Sequence, residues 1–310
     1  MKCFLYVCFR ILELLCSGCS IMFNFEISKL KLRVVVENSV YRSGFWASHG
    51  LSIFLDLIDS DGDSYKVLFD TGNEGGVLIH NLERMKIDID DLDAIVISHG
   101  HYDHTGGLPK LAEVLGSKKP LFMHPDALNE KFAFRKKLRY IGNPFSAAFL
   151  EEYFHVILTS GPAQVVNSVY VTGEIQRDER YCSTSGFYQK VNGDLKPDPI
   201  KDDIALVINM ENNESVVITG CGHSGAANIV QHVLNTFKPE KITALIGGLH
   251  LEWVPVEVRE ANWEKLRELP IKYFSPMHCS GPTIVSYVIK EFSEKYLMLH
   301  TGDEFTFSPL

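Results

Sequence analysis

The sequence predicts an α/β sandwich, and three observations support that class. Runs of β-branched and large apolar residues alternate with stretches whose apolar spacing is near 3.6, prolines punctuate the boundaries, and no linker-like segment divides the chain. The first strand-like runs are 32–37, 51–58, 65–69, 94–98 and 121–124. A second series follows at 155–159, 165–172, 204–210, 215–219, 243–246, 273–275 and 296–300. Helices are expected at 76–85, 108–115, 226–237, 256–269 and 283–292. Two long irregular stretches, 129–152 and 177–203, read as lids or substrate walls. Residues 22–310 are expected to form one domain, preceded by an extension at 1–21.

Bulk properties narrow the function classes. With 45% hydrophobic and 22% charged residues, the 310-residue chain has the balance of a soluble globular protein. Its formal charge of −9 argues against nucleic acid, whose phosphates need a basic face, but leaves room for a small phosphorylated substrate. The cysteines (Cys3, Cys8, Cys16, Cys19, Cys182, Cys221 and Cys279) are odd in number and scattered. That pattern is no disulfide framework, and a reducing, cytoplasmic setting is expected. The apolar start of the chain resembles a targeting segment. Arg10 and Glu13 interrupt it, however, and no window reaches the roughly 18 apolar residues of a spanning helix, so stable membrane insertion is not expected.

The chemistry concentrates where the apolar run 95–97 ends. His99, His101, Asp103 and His104 follow within one short segment. Side chains two apart on extended backbone point the same way, so His99 and His101 can address one metal from one side. The next turn, eased by Gly106-Gly107, puts Asp103 and His104 on the other side of the same cavity. Neutral imidazoles with a hard carboxylate suit one or two Zn²⁺ ions, with Fe or Mn as alternatives.

The segment Ser98-His99-Gly100-His101-Tyr102-Asp103-His104-Thr105-Gly106-Gly107 resembles the HxHxDH signature of the metallo-β-lactamase-fold superfamily. Leu68-Phe69-Asp70-Thr71-Gly72 resembles that superfamily's first motif, and the resemblance implies an αββα sandwich. It also implies that Asp70 lies behind the metal cavity, orienting a ligand imidazole. Further segments are similar to a subfamily of dihydropterin-ribofuranosyl-aminobenzene-phosphate synthase-like hydrolases. They are His49-Gly50-Leu51-Ser52, Gly173-Glu174-Ile175-Gln176-Arg177, Asp202-Asp203-Ile204, Thr219-Gly220-Cys221-Gly222-His223-Ser224-Gly225, Gly247-Gly248-Leu249-His250 and Pro276-Met277-His278-Cys279. The implied ligand sets are His99, His101 and His223 for one metal, and Asp103, His104 and His278 for the other. Cys221 stands where many members of the superfamily have a bridging aspartate. Cys221, Asp203 and His250 therefore all compete for a remaining ligand position, with His250 otherwise facing substrate as a catalytic group. Asp103 is a second catalytic candidate, steering a proton. His49 is expected to line the pocket.

The expected reaction is hydrolysis by metal-activated water, on a phosphoester or phosphodiester small molecule. Arg177 and the cluster Arg135-Lys136-Lys137-Leu138-Arg139 are candidates to grip phosphate. The subfamily label implies a rival activity, a synthase joining a phosphoribosyl unit to an aromatic amine in pterin-cofactor assembly. A metal-binding sensor without turnover is the other rival. Oligomeric state is not legible in the sequence.

Overall fold

The computed structural model describes residues 26–308; the expected extension at 1–21 and the domain start at residue 22 lie outside the described residues. The first strands are β1 (Ile27–Val36), β2 (Ser52–Asp59), β3 (Ser64–Phe69), β4 (Ala94–Val96) and β5 (Pro120–Met123). Next come β6 (Glu130–Phe134), β7 (Leu138–Tyr140), β8 (His155–Leu158), β9 (Ala163–Val166), β10 (Val169–Val171), β11 (Phe187–Val191) and β12 (Asp194–Pro197). The last are β13 (Ala205–Met210), β14 (Glu214–Thr219), β15 (Lys241–Gly248), β16 (Ile271–Met277) and β17 (Glu304–Phe307). The helices are α1 (Gly75–Arg84), α2 (Tyr102–Thr105), α3 (Leu108–Val114), α4 (Ala147–Tyr153), α5 (Ala226–Thr236), α6 (Val256–Glu268) and α7 (Gly281–Phe292).

The large sheet runs β16-β15-β14-β13-β1-β2-β3-β4-β5-β8. Its two halves are stitched at one register pair, Ile27 opposite Met210. The chain therefore closes as two sheets face to face. Leu55, Val67 and Val96 of the first half pack with Leu206, Val216 and Ile246 of the second in a shared core. Alternate residues turn outward: Leu68 and Ile95 pack under Leu78, Leu82, Leu108 and Leu111 of α1 and α3. Likewise Val217 and Leu245 pack under Ile229, Val233, Leu266 and Ile284 of α5, α6 and α7. The three cores define an αββα sandwich, as expected. Strands covered on both faces read as continuous apolar runs, and each fully buried Leu or Ile contributes roughly 1.5–3 kcal/mol.

Three expectations change. The run 165–172 is two antiparallel strands, β9 and β10, because Ser168 turns the chain at φ 57°. Residues 296–300 form no strand: Tyr296 makes one bridge to Phe274, and the last strand is β17, antiparallel to β1. The irregular stretches are the largest correction. They supply a separate four-stranded sheet, β12-β11-β6-β7, and the helix α4. Half-exposed strands carrying Lys, Arg and Glu give a weak alternation signal, and their pairing spans a long sequence separation. Among the described residues no helix is long and apolar enough to cross a membrane.

Candidate metal centre

Parallel pairing brings the chemistry-bearing turns to one edge. Phe69 at the end of β3 lies opposite Val96 of β4, so Asp70 and Ser98 leave the sheet together. In the other half Thr219 lies opposite Gly247, and Gly248 opposite Met277. The turns bearing Cys221 and His223, His250, and His278 therefore emerge side by side, at the carboxyl ends of parallel strands. Asp70, His250 and His278 hold left-handed backbone, with φ of 57°, 45° and 50°. Non-glycine residues resist that region, and such strain persists where surrounding structure over-determines it. Gly220 is required by close approach: a Cβ there would overlap Ser98 Oγ.

Hydrogen bonds set which ring nitrogen of each histidine faces inward. Asp70 accepts from Ser98 N–H and Ser98 Oγ, each at 2.7 Å, and from His104 Nδ1 at 2.7 Å. The Ser98 hydroxyl, having donated to Asp70, accepts from His99 Nδ1 at 2.9 Å. His223 Nδ1 donates to the Ser183 carbonyl at 3.2 Å, and His278 Nδ1 to Asn38 Oδ1 at 2.9 Å. In each case an oxygen acceptor fixes a proton on Nδ1 and turns Nε2 inward, where His99 Nε2 accepts from His101 Nδ1 at 2.9 Å. The buried Nε2 atoms of His101, His223 and His278 have no hydrogen-bond partner. Orphaned buried ring nitrogens are costly unless something else binds them, and a cation fits that requirement.

The inward atoms cluster as a metal site demands. Ligand atoms of His99, His101 and His223 lie within 4.8 Å of one another, the grouping expected for one ion. The second grouping is broader than expected. Asp103 Oδ2 lies 3.3 Å from His278 Nε2, 3.9 Å from His104 Nε2 and 3.2 Å from His49 Nε2. His104 Nε2 also faces Cys221 Sγ at 3.2 Å. Cys221 is buried and shares groupings with His99 and His104, with His223 and His250, and with His278 and Cys279. It thus stands between the two donor sets, where a bridging group would stand. The donor chemistry fits one or two divalent cations of the zinc type.

Electrostatics favour the ligating forms of His99, His101, His223 and Asp103, and the proton-bearing forms of His104 and Cys221. Burial holds His99, His101 and His223 well below the usual imidazole range, so they are neutral. Burial pulls His104 down too, but Asp70 and Asp103 raise it to about 9. Burial opposes ionisation of Asp103, yet the His104 charge and the His278 and His49 contacts hold its carboxyl well below the usual range. Burial, with the adjacent Cys279 sulfur, pushes the Cys221 thiol well up.

Two expected site residues lie elsewhere. Asp203 accepts N–H bonds from Gly222 at 3.1 Å and Ser224 at 2.8 Å, so it braces the turn on both sides of His223 instead of facing the donors. Arg177 donates to the Pro199 and Ile200 carbonyls, which occupies its guanidinium within the 177–203 segment. His250 does reach the cavity, its ring 4.2 Å from that of His223 and its Nδ1 without a partner. His49 lines it as well. The sequence reading missed Asn38 and Ser183, which carry no local signal because each acts through a distant histidine, and Ser98, whose hydroxyl links its neighbour His99 to the distant Asp70. It also missed a strut. Fully buried Lys131 on β6 binds Asp198 at 2.9 Å and Asp202 at 2.7 Å, and Asp202 accepts the Gly100 N–H at 2.8 Å. The small sheet is thereby tied to the backbone between His99 and His101.

The donors open into a cavity of about 460 Å³. Phe187 of β11 packs over the rings of His101, His223 and His250 at 5.5, 5.0 and 5.8 Å, so the small sheet forms the opposite wall. Comparisons with known proteins agree with this architecture. The chain is 28% identical over 286 residues (89% of this chain, 96% of the relative) to 7,8-dihydropterin-6-methyl-4-(beta-D-ribofuranosyl)-aminobenzene-5'-phosphate synthase of Methanocaldococcus jannaschii. It superposes with a TM-score of 0.77 and 28% identity on Tm1679, a metal-dependent hydrolase of the beta-lactamase superfamily, covering 90% of this chain and 100% of that one. The Zn²⁺-bound PqqB of Methylobacterium extorquens shares the fold alone, at TM-score 0.51 and 11% identity over 89% of this chain and 99% of that one. The metallo-beta-lactamase superfamily model matches residues 50–236, and with the donor cluster at the matched strand ends the chain belongs to that superfamily.

Proposed function

We propose that the chain is a metal-dependent hydrolase of a small phosphorylated molecule. The observation that carries this reading is the set of buried Nε2 atoms turned into one cavity with their tautomers set from behind. His99, His101 and His223 would hold one ion; Asp103, with His104 and His278 facing its carboxylate, would hold the other, and Cys221 would stand between them. When bound, such cations acidify water towards neutral pH and neutralise charge gathering on a phosphoryl or acyl oxygen. The remaining tasks fall to side chains. His250, with Nδ1 unpartnered at the cavity wall, is placed to hand a proton to a leaving group. His49 pairs with Asp103 at 3.2 Å and is half exposed, so the two can pass a proton between cavity and solvent. Phe187 excludes water from the imidazole cluster. Zinc is the preferred ion, with iron or manganese as alternatives. The expected setting is cytoplasmic.

The test is turnover of bis-p-nitrophenyl phosphate by purified protein, before and after chelation and after restoring zinc, iron or manganese. Loss on chelation with recovery on one of the metals is expected. A fully metal-loaded protein that turns over no phosphoester sinks the hydrolase reading. A second reading has its own support: the relative matched over 96% of its length is named as a synthase. Product formation only from an aminobenzoate plus a phosphoribosyl donor would decide for a transferase.

A further inference from the structure

The wall opposite the donors carries charge that the protein does not neutralise. On β6 and β7, Ala133 pairs with Arg139, while Arg135 opens the bend between the two strands and Ile141 follows β7. All of these line the cavity. One strand position further back on the face of Ala133 is Lys131, the buried strut. The face is therefore turned inward by an anchored residue; Arg139 is held at the mouth by the register of the hairpin, and Arg135 stands beside it at the start of the bend. Among the described residues, neither guanidinium has an ion pair or a side-chain hydrogen bond. Arg135 instead lies over the Trp253 ring, 5.9 Å from the centroid. The nearby carboxylates are engaged elsewhere: Glu252 accepts from Thr283 N–H and Oγ at 2.9 Å each, and Asp103 faces His49 and His278. In a chain with net charge −9, two cations left without carboxylates at a cavity mouth select an anion.

We propose that Arg135 and Arg139 form an anchor for a phosphate monoester group at the cavity mouth, with Trp253 as an apolar flank for the part of the substrate next to it. This deepens the proposed function, since it assumes that the cavity receives the substrate. Charge matching favours phosphate over carboxylate. A phosphate monoester carries about −1.5 to −2 near neutral pH and three acceptor oxygens, enough for both guanidinium forks, whereas a carboxylate would leave one cation unmatched. Lys136 and Lys137 are exposed at the tip of the same hairpin and do not line the cavity, which makes them internal controls.

The experiment is calorimetric titration of the full chain, stripped by chelator so that metals do not bind the probe, with phenyl phosphate and with benzoate. Four proteins are compared: wild type, Arg135→Met/Arg139→Met, Arg139→Lys and Lys136→Met/Lys137→Met. Phenyl phosphate is expected to bind wild type and the lysine variant alike, and to bind the double arginine variant roughly tenfold or more weaker. Arg139→Lys is expected to fall between, because a point charge replaces a fork. Benzoate is expected to bind weakly to all four. No binding to wild type, equal binding by the arginine variant, equal loss in the lysine variant, or benzoate binding as tight as phenyl phosphate would each overturn the anchor. The hydrolase reading fails separately, in the turnover assay on metal-loaded protein, and that failure leaves a positive titration standing. Equal melting temperatures of the stripped variants check that the comparison is between folded proteins.

Discussion

On the large-sheet side of the cavity nearly every donor imidazole is buried; Nδ1 of His104, His223 and His278 is held by an oxygen from another part of the chain, and Nδ1 of His99 by the neighbouring Ser98 hydroxyl. On the small-sheet side Arg135 and Arg139 are exposed, while Phe134, Leu138 and Tyr140 on the outer face are about half exposed. The first wall is over-determined, as a group that must hold a cation at fixed distance requires. The second is fixed mainly at its base, through Lys131, and is open at its tip. Under the proposed function, chemistry falls to the rigid wall and selection to the open one, so that substrate preference could change without disturbing catalysis.

That contrast can be broken in order of expected effect. Replacing His101 or His223 by Ala removes an inward Nε2 and is expected to abolish both metal retention after dialysis and turnover. Full metal content in either variant would show that the donor wall is assigned wrongly. Lys131→Met leaves Asp198 and Asp202 buried without a cation. Breaking a buried pair in this way costs roughly 3–5 kcal/mol, read as a lowered urea midpoint, and an unchanged midpoint would remove the strut from the account. Adding Asp202→Asn to Lys131→Met should recover part of the loss, because it removes one of the stranded charges.

Asp70→Asn keeps the size of the side chain but no longer fixes the proton on His104 Nδ1. Roughly 10- to 100-fold weaker metal affinity is expected, measured by competition with a chromogenic chelator. Affinity equal to wild type would mean that the Asp70–His104 contact is only structural. The smallest effect belongs to the open wall: Lys136→Ala and Lys137→Ala should each change stability by no more than about 0.5 kcal/mol and leave turnover intact. A large loss there would make the hairpin tip part of the machinery.

The two walls also differ in how far sequence reasoning reached them. The segment from His99 to His104 was legible because four donors sit together directly after an apolar strand, and chance rarely assembles that. His223, His250 and His278 were legible through motif resemblance and their places after strands. The small sheet was not legible, since its strands come from segments about 50 residues apart and pair only in three dimensions. The roles of Asp203 and Arg177 stayed open in the sequence for a related reason. A carboxylate or guanidinium near a motif looks the same in sequence whether it faces a ligand or braces a backbone turn.

By itself, the sequence determined the alternation of strands and helices, the sandwich class and the cluster of candidate donors, because periodicity and close spacing are local properties of the chain. Tertiary structure decided what those donors do together. Which nitrogen of His104, His223 and His278 faces inward depends on Asp70, Ser183 and Asn38, partners distant in the chain. The place of Cys221 between the donor sets depends on Gly220 passing closely against Ser98. The basic hairpin became a cavity wall only because Lys131 is buried against Asp198 and Asp202, and a buried charge must stay where its partners are.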